Sequence, residues 1–171
     1  LTHGQWDERN PLARYFLYWY SSKIRNLDIT SVHRFNKVVG GSELVAKRIQ
    51  TYYGRDASVA YCPTDTFSYY NDTDKGYFVM LNRIVPEKRV KMAIEAFNEL
   101  DIPLKIAGEA DDSAKGYADE CKKLSNGNIE FLGWVGGDDK IELLAQSSGL
   151  VFAAEREDFG MPPIEALAAG K

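Results

Sequence analysis

Short apolar-rich runs alternate with amphipathic stretches over the last hundred residues of this chain. Tyr77 to Leu81 (YFVML), Pro103 to Ala107 (PLKIA), Ile129 to Leu132 (IEFL) and Gly149 to Ala154 (GLVFAA) read as strands. The unbroken apolar character of the first and last is that of strands buried on both faces of a parallel sheet. Between them lie helix periodicities. Arg89 to Leu100 carries Val90, Ala93, Ile94 and Phe97 on one face, Tyr117 to Leu124 and Lys140 to Ser147 follow, and a final helical run (EALAA) comes after Pro162 and Pro163. A Pro pair suits the first turn of a helix, where a missing N–H is not needed. Strand and helix in this repeated order predict a doubly wound α/β layer from about residue 76 onward.

The first part of the chain is patterned differently. Residues 1 to 10 are polar and irregular and include His3; Asn10-Pro11 then signals a helix over 11 to 27 rich in aromatic residues. With Arg14, Lys23 and Arg25 that helix reads either as an interfacial membrane helix or as core or inter-domain packing, and packing is the preferred reading. A short strand is expected within Val32 to Gly41, and a helix from Glu43, after Ser42, to a stop at Gly54. Ala57 to Tyr61 reads as another strand, and the turn-rich residues 66 to 76 as a loop.

Composition narrows the function classes. Apolar residues make up 44% and charged residues 27% of 171, as in ordinary globular proteins, and the net charge of −4 argues against a generic nucleic-acid binder. Cys62 and Cys121 match no metal or redox spacing, which suggests thiols in a reducing compartment. No apolar run approaches the roughly 18 residues of a membrane span, and no signal peptide is evident. The expected location is cytoplasmic, with the inner face of the membrane left open. Neither G-x-G-x-x-G nor a phosphate loop is present: in the terminal A-A-G-K, Glu165 stands where that loop needs its first Gly.

Candidate chemistry gathers where strands end. Glu157 follows the GLVFAA strand, eight positions before Glu165 at the start of the last helix. The loop would lie at the carboxyl end of a strand, where open α/β sheets bind ligands. Glu157 could accept hydrogen bonds from sugar hydroxyls and Glu165 could hold a vicinal diol such as a ribose pair. The N–H groups of Phe159, Gly160 and Met161 would point from the helix start toward an anionic or polar group. Taken singly, Glu165 reads rather as a complement to the helix dipole and Glu157 as a solvated loop charge. Arg83 and Lys88, after the YFVML strand, could neutralise a diphosphate, Arg by its planar fork and Lys as a point charge, or be two surface cations.

Together these motifs resemble one family. EDFGMPPIEALAAGK is similar to the E-x7-E signature of the retaining glycosyltransferases of family 4, matching at Glu157, Phe159, Gly160, Pro162, Glu165, Ala166 and Gly170 and departing at Asp158. NRIVPEKR resembles that family's G-R-L-x-x-x-K-G element, with Asn82 and Arg89 in place of its two glycines; Gly133-Trp134-Val135 resembles its G-aromatic-V corner. The resemblance implies a GT-B type, Rossmann-like doubly wound parallel sheet, incomplete at both ends. Residues 1–56 would be the tail of an acceptor-side N-terminal domain with its connecting helix, and 57–171 a truncated donor-binding domain. It implies that Glu157 contacts the donor sugar, Glu165 the ribose, Arg83 and Lys88 the diphosphate, and the backbone of Gly133, Trp134 and Val135 the nucleobase, although Trp134 reads equally as a packing aromatic. A histidine lines the active site in many relatives, but the context of His3 does not fix a match.

The implied activity is transfer of a hexose, with retention, from a nucleoside-diphosphate sugar to a glycan or lipid-linked acceptor, in glycan or cell-surface polysaccharide synthesis. The wording of YYGRDASV, NRIVPEKR and EDFGMPPIEA favours a mannosyltransferase and GDP-mannose over a UDP-sugar. No cofactor, metal or nucleic acid is implied, and a peripheral membrane contact through the N-terminal domain is left open. A fragment of this kind is expected to bind donor weakly and turn nothing over. Two alternatives remain: a sugar-nucleotide epimerase of the same fold, and a catalytically silent binding domain.

Overall fold

A computed structural model of the protein describes residues 11–155 and 157–171, so His3 lies outside the described residues. The chain forms two compact units, dividing between Cys62 and Pro63, a few residues past the boundary expected from the sequence.

In the first unit helix α1 spans Pro11–Val32. It runs past Leu27 because the hydroxyls of Thr30 and Ser31 fold back onto the carbonyls of Asn26 and Leu27, at 2.8 and 2.7 Å, instead of competing for the chain. None of its residues is buried, and Tyr15 is 72% exposed, so the aromatic run is not part of a core formed by the described residues. Positions 15, 16, 18, 19 and 20 spread over about 200° of the helix circumference, too wide for one neighbouring element to cover. Strand β1 (Val39–Gly40) pairs in parallel with β2 (Ser58–Val59). Between them α2 (Glu43–Tyr53) is capped as its sequence predicts: Ser42 Oγ accepts the Val45 N–H at 3.2 Å, and Gly54 closes the helix at φ 63°.

The second unit is a four-stranded parallel sheet. Its strands are β3 (Phe78–Leu81), β4 (Leu104–Ala107), β5 (Ile129–Gly133) and β6 (Gly149–Leu150). Helices α3 (Val90–Leu100), α4 (Lys115–Leu124) and α5 (Gly137–Ala145) connect them, and α6 (Met161–Ala168) follows β6. The strand order is β5-β4-β3-β6. Succession runs outward from β3 through β4 to β5 and then returns to its other side, the topology expected of a doubly wound sheet.

Strand pleating explains the two cores. Met80, Leu104 and Ile106 face one way and pack with Val90, Ile94 and Phe97 of α3 and Cys121 of α4. Val79, Leu81 and Ala107 face the other way and pack with Leu144 of α5 and Ala166 of α6. The GLVFAA strand is shorter than expected: only Gly149–Leu150 are paired as strand, although the Val151 N–H still donates to Val79 O at 2.8 Å. Helix α5 starts three residues before Lys140, and α6 starts at Met161, which moves Glu165 out of the first turn.

Burial raises the ionisation of the Cys121 thiol above its ordinary 9.0 and of the Tyr69, Tyr77 and Tyr117 phenols above 10.0. A group whose pKa is raised by folding contributes stability below its unfolded value and loses it as pH rises past that value. The urea midpoint is therefore expected to hold up to about pH 9 and to fall steadily toward pH 11. A midpoint at pH 11 equal to that at pH 8 would contradict the burial of these groups.

Candidate donor-binding site

The crevice of an open α/β sheet lies beyond the carboxyl ends of its strands where the winding reverses, here between β3 and β6. Both strands run out into loops that carry charge. After β3 come Asn82, Arg83 and a turn of 3-10 helix, Pro86–Lys88; after β6 comes the loop that holds Glu155 and Glu157. The Glu155 N–H donates to Glu87 O at 2.8 Å, which ties the second loop to the first.

Two clefts open there. The first, of about 380 Å³, is lined by Arg83 and Lys88 together with Glu87, Glu155, Glu157 and Asp158. Arg83 Nη1 donates to Asp111 at 2.8 Å on the exposed rim, whereas Lys88 pairs with Glu157 with both side chains mostly covered. Arg89, in the place of a glycine of the resembled motif, adopts the left-handed conformation (φ 53°) and pairs with Glu155 at 3.2 Å. That conformation costs an L residue roughly 1–2 kcal/mol; the loop keeps a glycine-like path without the glycine.

The second cleft, of about 470 Å³, adjoins the first through Arg83, which lines both. Both volumes fall within the roughly 300–1,000 Å³ of small-molecule sites. Trp134, Val135, Met161 and Glu165 line the second cleft, with Asn82 and Lys140. Trp134 is 75% exposed and leans over Gly136, where a Cβ would lie 2.4 Å from its ring. The amide of Asn82, a residue that lines this cleft, is buried and has no hydrogen-bond partner within the protein.

The sequence-derived set is thus only partly gathered. Arg83, Lys88 and Glu157 meet around one cleft, and Trp134, Val135, Met161 and Glu165 around the other. Gly133, Phe159 and Gly160 line neither. Gly160 is buried under Phe152, where a Cβ would lie 3.0 Å from the ring, and turns the chain into α6 at φ 78°.

Sequence inspection missed Lys140. From the fourth position of α5 its Nζ donates to Glu165 Oε1 at 2.8 Å, with side chains 27% and 13% exposed. The Tyr69 ring lies 5.9 Å from the same ammonium. Burial pulls the Lys140 pKa down, but hydrogen bonds and attraction to Glu165 and Tyr69 outweigh it and leave the value raised. Nothing in the local pattern of GGDDKIELL distinguishes Lys140 from a solvated helix charge. Among the described residues no group of three or more His, Cys, Asp or Glu is placed to hold a metal, and no helix is long and apolar enough to cross a membrane.

Known proteins share this architecture. The structure of Anabaena HepE in complex with UDP and glucose superposes with a TM-score of 0.78 at 18% identity, over 86% of this chain and 46% of that one. A glycosyltransferase involved in avilamycin A biosynthesis superposes with a TM-score of 0.63 at 20% identity, over 77% of this chain and 42% of that one. At such identities the likeness is one of fold, and the fold is the GT-B type. An uncharacterized glycosyltransferase of Methanocaldococcus jannaschii is 25% identical over 136 residues, 80% of this chain and 38% of the relative. The chain therefore spans less than half the length of each of these proteins. Residues 63–171, the whole doubly wound unit with both clefts, match the family model of the glycosyl transferases group 1, and by that match the chain belongs to this family.

Proposed function

We propose that the protein carrying this chain is a retaining hexosyltransferase of family 4 type, and that the unit from Pro63 onward binds its nucleoside-diphosphate sugar. The observation that carries this is the meeting of Arg83, Lys88 and Glu157 around one cleft beside a second cleft that holds Glu165. In this reading the nucleoside enters the second cleft, with Glu165 accepting from the ribose hydroxyls and Trp134 and Val135 beside the base. The diphosphate spans the two clefts at Arg83, and the sugar lies by Glu157. As the bond from the sugar to the diphosphate breaks, charge grows on the departing oxygen. Arg83 and Lys88 stabilise it from fixed positions, the kind of preorganised electrostatics that dominates many enzymes. Both cations are already paired with carboxylates, so the diphosphate replaces or shares those partners and their charge is not left uncompensated.

The acceptor, a glycan or lipid-linked hydroxyl, binds on another domain, and closure of the two completes the site. The motif wording favours GDP-mannose as donor, whereas the HepE neighbour was solved with UDP. Calorimetric titration with GDP, UDP and ADP, beside the Glu165→Ala variant, tests the proposal and names the base. One diphosphate is expected to bind, and the variant to lose about 1 to 3 kcal/mol as a hydrogen-bonded carboxylate is removed and its lysine left unpaired. Binding of none of the three would sink the transferase reading in favour of a silent domain.

A further inference from the structure

The Lys140–Glu165 pair asks for an explanation that helix stability does not supply. Lys140 is the fourth residue of α5, just after Asp138 and Asp139. A cation so near a helix N-terminus opposes the helix dipole, which favours the two aspartates instead. Its side chain is nevertheless drawn off the surface, 27% exposed, between the Tyr69 ring and a carboxylate that is 13% exposed. Covering a lysine costs solvation that a lone surface pair seldom recovers. The pair also lines the second cleft beside Trp134 and Met161, so part of it faces the space a nucleoside would fill. The other cleft holds the same combination, Lys88 against Glu157.

We propose that Lys140 is a specificity-determining residue of the nucleoside pocket, which with Glu165 recognises the vicinal hydroxyls of a ribonucleoside diphosphate. This deepens the donor-site proposal above and rests on it. A carboxylate can only accept and an ammonium can only donate, whereas each ribose hydroxyl does both. Glu165 alone would satisfy the hydroxyl protons and leave the oxygen lone pairs unmet. Lys140 has three N–H groups: one engages Glu165 Oε1, Tyr69 interacts with the ammonium, and a further N–H serves a ribose oxygen. A diol thus meets an acceptor and a donor held together, and a deoxyribose loses half of that match.

The test compares UDP and GDP with their 2′-deoxy and 3′-deoxy counterparts by calorimetry, in the wild type and in Lys140→Met. Loss of a charged hydrogen bond is expected to weaken the ribonucleotide about tenfold and at least one deoxy form less than about threefold, so that the preference for the diol collapses. A fall by one common factor for all ligands would overturn the proposal, because a lysine that only props up the fold cannot tell ribose from deoxyribose. Tyr69→Leu, which removes the ring beside the ammonium, supplies an independent variant should Lys140→Met fold poorly; it should narrow the same preference, and an unchanged preference there would count against the proposal. Failure of the wild type to bind any of the diphosphates defeats the donor-site reading and this inference with it, whereas binding with intact discrimination in the variants defeats this inference alone.

Discussion

On the proposed donor-site reading, Lys88→Ala in the protein carrying this chain is expected to lower kcat/KM for sugar transfer by about 100-fold to 1000-fold, the range seen when one preorganised donor to a developing charge is removed. Two effects add. The variant removes a cation from a cleft whose lining has two cations among four carboxylates, Glu87, Glu155, Glu157 and Asp158. It also strips Glu157 of the ammonium it pairs with, leaving a mostly covered carboxylate to repel the incoming diphosphate. Lys88→Arg keeps the charge in a different shape and should recover part of the loss. Steady-state kinetics with separate measurement of diphosphate affinity would show the effect in kcat and in binding. A change smaller than about threefold in kcat/KM would remove Lys88 from the reaction and leave it as half of a structural ion pair.

Gly108→Ala should produce the largest loss of stability of any single methyl group added to this chain's site. Gly108 sits directly after β4 at φ 150°, and a Cβ there would lie 1.8 Å from the carbonyl oxygen of Asn82 and 2.7 Å from its carbon. Both are backbone atoms, and neither strand can retreat. The Asn82 N–H is bonded to Ala107 O at 3.1 Å and the Gly108 N–H to Gly133 O at 2.7 Å. Overpacking of about 1–3 kcal/mol and backbone strain of similar size together predict a loss of about 3 to 5 kcal/mol. For a unit of this size that lowers Tm by more than about 10 °C in a thermal melt. Gly133→Ala is the control: Gly133 also has a positive φ, 70°, but a Cβ there would meet only the Glu109 side chain at 3.8 Å. It should lose only the strain component, about 1 kcal/mol. Equal losses at the two positions would refute the close approach of the two strand ends.

Much of the architecture is local and so was legible in the sequence. Ser42 and Gly54 bound α2 because a hydroxyl accepts a helix N–H and a glycine takes a left-handed turn, both within a few residues. The apolar runs of β3 to β5 announce strands, and the apolar face of Val90, Ala93, Ile94 and Phe97 announces α3, since periodicity reports which side is buried. The same runs are silent on ends. The β6 ladder stops at Leu150 although the run of apolar residues continues, and α6 begins early enough to carry Glu165 into its second turn. Aromatic content likewise does not tell a core helix from one that leaves its rings exposed within this chain, as α1 does.

The site divides in the same way. Spacing along one loop and one helix brought Glu157 and Glu165 to notice, and a strand end followed by a helix start did so for Arg83 and Lys88. What these residues touch was settled only by folding. Lys88 meets Glu157 across 69 positions, Arg83 meets Asp111 across 28, and Lys140 meets Glu165 across 25. Each pair joins loops or helix ends from different strand–helix units: Arg83 and Asp111 follow the neighbouring strands β3 and β4, Lys88 and Glu157 meet because the winding reverses between β3 and β6, and Lys140 and Glu165 lie on the helices before and after β6. A sequence determines its own periodicities and caps through bonds a few residues long. The partner of a charge depends on which strand becomes the neighbour, and that is decided by the packing of both faces of the sheet at once.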